Sequence, residues 1–200
     1  MTATFWDERF ADEEFLYGTE PNVFLVEQAH RLTAGSRVLL PGDGEGRNGV
    51  WLAGRGMDVL SVDASAVGLA KAKRLAGDRG LSINTDVADL GAWAWPSNGF
   101  DAIVSLFLHL ASPERASIHA KMIEALKPGG SLILEAFRPE QLGYSSGGPK
   151  DLALLYTAAQ LAADFRAVDI LLLEEALVDL DEGKLHKGLG ATVRLVARKA

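Results

Sequence analysis

Short runs of apolar and β-branched residues alternate with stretches of helical spacing along most of the chain. Continuous apolar runs of this length are typical of strands that are buried on both faces of a sheet. They predict strands at 37–40, 58–62, 81–85, 102–107 and 131–136. The intervals 48–56 and 65–80 predict helices, and Ser112-Pro113 predicts the start of another. Strands that alternate with helices in this way predict a mostly parallel sheet covered by helices.

The last third of the chain has a different pattern. Residues 168–173 and 193–197 are strand-like, and polar and apolar positions alternate in the second of these segments. The intervening residues 179–190 are polar and rich in glycine, which does not favour a crossover helix. We therefore expect an antiparallel pair of strands joined by a loose loop over 179–190.

Composition and charge narrow the classes of function. The chain has 200 residues, no cysteine, four histidines and a formal net charge of −7. A single domain over 1–200 without disulfides or a structural metal is expected, and the net charge disfavours nucleic acid and anionic membranes as partners. Neither a secretory signal nor a spanning segment is recognised, which favours a cytoplasmic location. Both a monomer and a homodimer are compatible with the sequence.

A glycine-rich turn provides the strongest chemical signal. Gly42, Gly44 and Gly46 follow the first predicted strand and precede a helix, where glycines let the backbone approach a ligand. Asp63 ends the second predicted strand, and a carboxylate there can accept hydrogen bonds from both hydroxyls of a ribose. The alternative interpretation is a tight turn followed by a capping aspartate. The order of strand, turn, helix, strand and acid favours a nucleotide or nucleoside site.

The spacing of the glycines separates two classes of cofactor. Dinucleotide enzymes favour G-x-G-x-x-G, but Arg47 occupies the third glycine position here. The G-x-G-x-G spacing suits a nucleoside without a pyrophosphate, of which S-adenosylmethionine is the common example. The predicted cofactor contacts at the carboxyl ends of the strands are Gly42, Asp43, Gly44, Gly46, Asp63, Ala64, Asp86, Val87 and Leu106. Among them, Asp86 is expected to reach an adenine amino group.

These motifs, together with Phe100-Asp101 and Leu126-Lys127-Pro128-Gly129-Gly130, resemble those of class I S-adenosylmethionine-dependent methyltransferases. Within that superfamily, Phe5–Phe10, Tyr17-Gly18 and Gly44–Asn48 resemble the tellurite-resistance and thiopurine (thiol) methyltransferase branch. The resemblance implies a Rossmann-like three-layer α/β sandwich with a seven-stranded sheet whose last strand is antiparallel. It also implies that residues 1–33 form a helical flap over the cofactor. The family often has an acid where this chain has Leu40, so Asp43 and Glu45 are considered as replacements.

The implied activity is methyl transfer from S-adenosylmethionine to a small molecule, with a thiol and a chalcogen oxyanion as the acceptors considered. Candidates for acceptor contacts are His109, Tyr17 and His186. Loop positions for the two histidines, and packing of Tyr17 on the core, are the alternatives. Two other functions stay open at this stage: a regulatory protein that binds the cofactor without turnover, and a nucleotide-dependent oxidoreductase.

Overall fold

Seven strands form one mixed sheet in the computed structural model, which describes residues 2–200. They are β1 (Arg37–Pro41), β2 (Asp58–Asp63), β3 (Asn84–Val87), β4 (Phe100–Leu106), β5 (Leu126–Phe137), β6 (Asp169–Glu182) and β7 (His186–Arg198). Their spatial order is β3-β2-β1-β4-β5-β7-β6. β1 to β5 pair in parallel, whereas β7 is antiparallel to both β5 and β6. The predicted fold class is confirmed.

Helices cover both faces of this sheet. The α-helices of the described residues are α1 (Ala3–Arg9), α2 (Val23–Gln28), α3 (Arg47–Ala53), α4 (Ala66–Asp78), α5 (Glu114–Ala125) and α6 (Ala158–Asp164). Successive strand residues point to opposite faces, so Leu39 packs into a core with α5 and α6, while Leu40 packs into a core with α2 and α3. Burial on both faces explains why the strands are apolar at nearly every position.

The third strand lies later in the sequence than expected. β3 begins at Asn84, whereas the apolar residues Leu81 and Ile83 pack against Val50 and Leu75 from α3 and α4. These side chains are apolar because they cover the helices, and not because they belong to the sheet. The predicted strand over 81–85 is therefore displaced along the sequence, and it overlaps the observed strand only at residues 84 and 85.

The expectation of a loose loop over 179–190 is wrong. β6 and β7 stay paired from Asp169–Arg198 to Glu182–His186, so only a short turn joins them. Contacts that are distant in sequence stabilise this extension: the Lys184 amide donates to the Leu16 carbonyl at 3.0 Å. Gly183 lies directly against the Gly18 backbone, where a Cβ would overlap it. Polar composition did not reveal these tertiary contacts.

A buried lysine holds the N-terminal segment against α4 and the glycine turn. Lys71 of α4 donates to the carbonyls of Asp12 and Glu14, each at 2.7 Å, and its ammonium pairs with the Glu45 carboxylate. Glu45 in turn accepts a hydrogen bond from the Leu16 amide at 2.8 Å. Both charged side chains are buried. Each therefore depends on the other to offset the cost of removing a charge from water.

We expect Lys71→Ala to lower the free energy of unfolding by about 3–5 kcal/mol, because it leaves the buried Glu45 carboxylate without its cation. Urea unfolding followed by circular dichroism measures the change. Lys73→Ala, at an exposed position on the same helix, serves as the control and should change stability by less than about 0.5 kcal/mol. Equal stability of the two variants would contradict the structural role of the buried pair.

Candidate active site

The glycine turn between β1 and α3 forms one wall of a cavity. Gly42, Gly44 and Gly46 all have positive φ angles, of 72°, 57° and 83°. Gly42 and Gly44 line the cavity. Gly46 does not line it; instead, a Cβ at this position would overlap Ala72 of α4. Gly46 therefore permits close packing of α3 on α4, and it is not among the residues that face the cavity.

Asp63 lies at the carboxyl end of β2 and faces the same cavity. Its two carboxylate oxygens accept hydrogen bonds from the amides of Gly44 and Ser65, each at 2.8 Å. Each oxygen keeps a second acceptor position. Burial raises the pKa of Asp63, while the two amide hydrogen bonds oppose that rise. Asp63 is thus fixed by the turn that it stabilises, and its remaining lone pairs can serve a ligand.

Leu40 takes the position at which class I methyltransferases, which the sequence resembles, often have an acid, and its side chain is buried in the core. Asp43 lines the cavity, but its carboxylate accepts a hydrogen bond from the Ser61 hydroxyl at 2.6 Å. Burial raises the pKa of Asp43 to about 7. Glu45 also lines the cavity, but its carboxylate forms an ion pair with Lys71 and accepts a hydrogen bond from the Leu16 amide. Both candidate replacements therefore have partners within the protein.

The structure separates the two residues that end β3. Val87 lines the cavity, together with Ala64 after β2 and Leu106 at the end of β4. Asp86 is absent from the lining, and its carboxylate accepts a hydrogen bond from the Trp93 indole at 2.8 Å. Asp89, which sequence reasoning missed, lines the cavity instead. The only sequence signal for Asp89 was its place just after the strand end, which is a weak one.

The three residues predicted to contact the methyl acceptor, Tyr17, His109 and His186, lie close together. The ring centroids of Tyr17, Phe107 and Phe137 lie 4.6, 4.8 and 5.3 Å from that of His186. His109 stacks on Phe137 at 6.2 Å. We name these five side chains the imidazole–aromatic cluster. Tyr17, Phe107, His109 and His186 line the cavity.

Four separate parts of the chain build this cluster: the N-terminal segment, the turn after β4, the end of β5 and the start of β7. Phe137 was not among the predicted site residues; it directly follows the predicted strand over 131–136 and ends β5. Phe107 has a φ of 52°, in the left-handed region that a bulky residue rarely adopts. Such strain persists where the surrounding structure holds the residue in place, and it is common at functional sites.

A buried ion pair lies behind His186. The Glu182 carboxylate accepts hydrogen bonds from His186 Nδ1 at 3.0 Å and from Arg47 Nη2 at 2.8 Å. Its other oxygen accepts one from the Asn22 side-chain Nδ2 at 3.2 Å. Burial alone would raise the pKa of Glu182, but the hydrogen bonds and the charge of Arg47 lower it to about 2. Sequence reasoning placed neither Glu182 nor Arg47 at this position.

His109 is in a different electrostatic environment. Burial, with smaller contributions from the charges of His186 and Arg9, lowers its pKa to about 3. Its imidazole is therefore neutral at physiological pH. It can offer a hydrogen-bonding nitrogen to a ligand, but it is a weak base.

One cavity of about 580 Å³ joins the glycine turn and Asp63 to the imidazole–aromatic cluster. Trp6, Phe10 and Tyr17 cover it from the N-terminal segment. This volume lies within the usual range of small-molecule sites. In residues 2–200, the structure has neither a helix long and apolar enough to cross a membrane nor a cluster of side chains arranged to hold a metal ion.

Comparison with known proteins agrees with this geometry. Residues 38–130 match a family described as a methyltransferase domain. A glycine/sarcosine N-methyltransferase of Halorhodospira halochloris is 33% identical over 138 residues, which are 65% of this chain and 49% of the relative. A tRNA (uracil(54)-C(5))-methyltransferase of Pyrococcus horikoshii is 28% identical over 161 residues, 74% of this chain and 36% of the relative. The chain thus spans between about a third and about half of the length of the curated relatives it matches.

Among solved structures, TehB from Haemophilus influenzae superposes with a TM-score of 0.73 at 21% identity. The match covers 99% of this chain and 67% of that one, and at this identity it shows a shared fold. Residues 38–130 are thus similar to a methyltransferase domain, and the superposition on TehB shows a shared fold over nearly the whole chain.

Proposed function

We propose that this protein transfers the methyl group of S-adenosylmethionine to a small, uncharged acceptor. The observation that carries the proposal is the single cavity in which the Gly42–Gly44 turn and Asp63 face the imidazole–aromatic cluster. A cofactor held at the first of these places would direct its sulfonium toward an acceptor held at the second. Methyl transfer needs little more than this alignment and the exclusion of water.

The residues on the cofactor side fit a nucleoside. The remaining lone pairs of Asp63 suit the two ribose hydroxyls, and the backbone at Gly42 and Gly44 allows close approach. Val87 and Leu106 provide apolar surface, and Asp89 provides a carboxylate at the place expected for Asp86. When bound, S-adenosylmethionine supplies an electrophilic methyl group on a positively charged sulfur.

The N-terminal segment acts as a flap in this proposal. Asp7 of α1 accepts hydrogen bonds from the Ser65 hydroxyl at 2.6 Å and the Val67 amide at 3.2 Å, which docks α1 on the start of α4. Trp6 and Phe10 then face the cavity, where their ring faces can attract a sulfonium. Met1 lies outside the described residues.

The charges around the cavity argue for an uncharged acceptor. Arg47 is the single Lys or Arg among the described lining residues, and Glu182 neutralises it. The acidic lining residues are Asp43, Glu45, Asp63, Asp89 and Glu114. Among the described lining residues a chalcogen oxyanion would meet no unpaired cation, so of the two acceptors considered from the sequence the thiol fits better. The net charge of −7 likewise disfavours a nucleic acid.

Calorimetric titration with S-adenosylmethionine, S-adenosylhomocysteine and NADH tests the cofactor. We expect micromolar binding of the first two ligands and none of NADH. Binding of NADH alone would instead support an oxidoreductase. Cofactor binding without transfer to any acceptor in a panel of thiols, phenols and amines would support a regulatory role.

Asp63→Ala should weaken S-adenosylhomocysteine binding at least about tenfold, which is about 1.4 kcal/mol, because both ribose hydroxyls lose their acceptor. Since Asp63 also holds the turn through two amides, Asp63→Asn is measured beside it, and circular dichroism reports whether each variant is folded. A folded variant with unchanged affinity would remove Asp63 from the site.

Asp86 and Asp89 form a matched pair for a second test. We expect Asp89→Ala to weaken S-adenosylhomocysteine binding about 3–10-fold, the value of one hydrogen bond, and Asp86→Ala to change it less than about twofold. The difference follows from the cavity, which Asp89 lines and Asp86 does not. The reverse ranking, measured by calorimetry, would restore the assignment made from the sequence.

A further inference from the structure

The Nδ1 atom of His186 is committed to Glu182, 3.0 Å away, and its Nε2 atom has no hydrogen-bond partner within residues 2–200. A neutral imidazole has one protonated and one unprotonated nitrogen. Because the carboxylate can only accept, Nδ1 carries the proton and Nε2 is left as the acceptor. His186 also lines the cavity. The structure therefore presents an unprotonated nitrogen next to the aromatic rings of the cluster.

Glu182 is ionised near neutral pH, because its pKa is lowered to about 2. Arg47, at the first residue of α3, holds this carboxylate in place at 2.8 Å. The titratable and charged groups that face His186 from the surrounding elements are Tyr17, Arg47, His109, Glu182 and the more distant Arg9. Among them, His109 is too weak a base to compete for a proton.

We propose that His186, positioned by Glu182 and Arg47, is the general base for a phenolic acceptor bound against Tyr17 and Phe107. This assignment rests on the proposed methyl transfer and names its substrate class. The arrangement of a histidine oriented by a buried carboxylate is that of a base that takes a proton from a hydroxyl.

The acidity of the acceptor group favours a phenol over a thiol, an amine or an aliphatic hydroxyl. A thiol, with a pKa near 8.5, supplies its own nucleophile without a base, and an amine attacks as the neutral species. An aliphatic hydroxyl is too weakly acidic for an imidazole to assist well. A phenol, with a pKa near 10, is acidic enough to pass its proton to a hydrogen-bonded imidazole as the methyl group transfers. Its ring also matches the aromatic faces 4.6 and 4.8 Å from His186.

Proton transfer to His186 accompanies the transfer of the methyl group. The bond between the phenol oxygen and the methyl carbon forms while the bond from that carbon to the cofactor sulfur breaks, and the electron pair of the broken bond stays on sulfur. The phenol proton passes to His186 Nε2, and the positive charge lost from sulfur appears on the imidazolium. Glu182 stabilises this imidazolium through Nδ1 until the proton leaves to solvent.

A first test needs no cofactor. Nitrogen NMR of the folded, cofactor-free protein should show His186 with Nδ1 protonated and Nε2 unprotonated once the imidazole is neutral. Histidine in a short peptide serves as the reference for a solvated ring, because Nδ1 of the exposed His30 lies 2.8 Å from the Glu27 carbonyl, which favours the same tautomer. Glu182→Gln should remove the strong preference for this tautomer. A protonated Nε2 in the wild type would overturn the proposal.

A second test uses acceptors of different acidity. p-Cresol stays protonated at mildly alkaline pH, whereas p-nitrophenol is largely ionised. His186→Gln should slow methyl transfer to p-cresol at least about 100-fold and affect p-nitrophenol much less, because only the first acceptor needs a base. Glu182→Gln should show the same selectivity, and His30→Gln should show no effect. A purely structural role would slow both acceptors equally and would overturn the assignment.

A measurement of cofactor binding tests the proposed methyl transfer separately from the phenolic acceptor and its base. We expect His186→Gln to bind S-adenosylhomocysteine within about threefold of the wild type, because Asp63 and the glycine turn are unchanged. Failure of the wild type to bind would contradict the proposed function itself. Binding combined with transfer to thiophenol, but to neither phenol, would leave the methyltransferase proposal intact and overturn the phenolic acceptor and its base.

Discussion

The buried ion pair between Arg47 and Glu182 connects the two halves of the site. Arg47 begins the helix that follows the glycine turn, and Glu182 ends β6, 135 residues later. The 2.8 Å contact connects the proposed cofactor side of the cavity to the hairpin that carries His186. A buried pair costs much of what it gains by Coulomb attraction, but the loss of one partner leaves an uncompensated charge. The geometry of the acceptor side therefore depends on this pair.

A second buried pair has the same role on the other side. Glu45, one residue after Gly44, meets Lys71, and together they bind the backbone of residues 12–16. Glu45, in the glycine turn, thus contacts the N-terminal segment, and Arg47, which follows the turn, contacts the hairpin of β6 and β7. The ends of the chain cover the cavity because polar contacts hold them there, in addition to the apolar packing of Phe10.

The two sides of the cavity have different origins. The proposed cofactor side lies at the carboxyl ends of β1, β2 and β4, where neighbouring parallel strands bring their following loops together by topology alone. The proposed acceptor side consists of segments around that edge, including the turn at Phe107 and the start of β7. One fold can host different activities when the second part changes without disturbing the first.

The sequence by itself determined the elements whose signals are local. Apolar runs identified most of the strands, and the spacing of Gly42, Gly44 and Asp63 identified one wall of the cavity, because strand burial and backbone conformation depend on neighbouring residues. The tertiary structure decided that Asp89 and not Asp86 faces the cavity, that residues 179–190 are paired strands, and that Glu182 orients His186. These features depend on contacts between residues far apart in the chain, for which spacing and composition carry no signal.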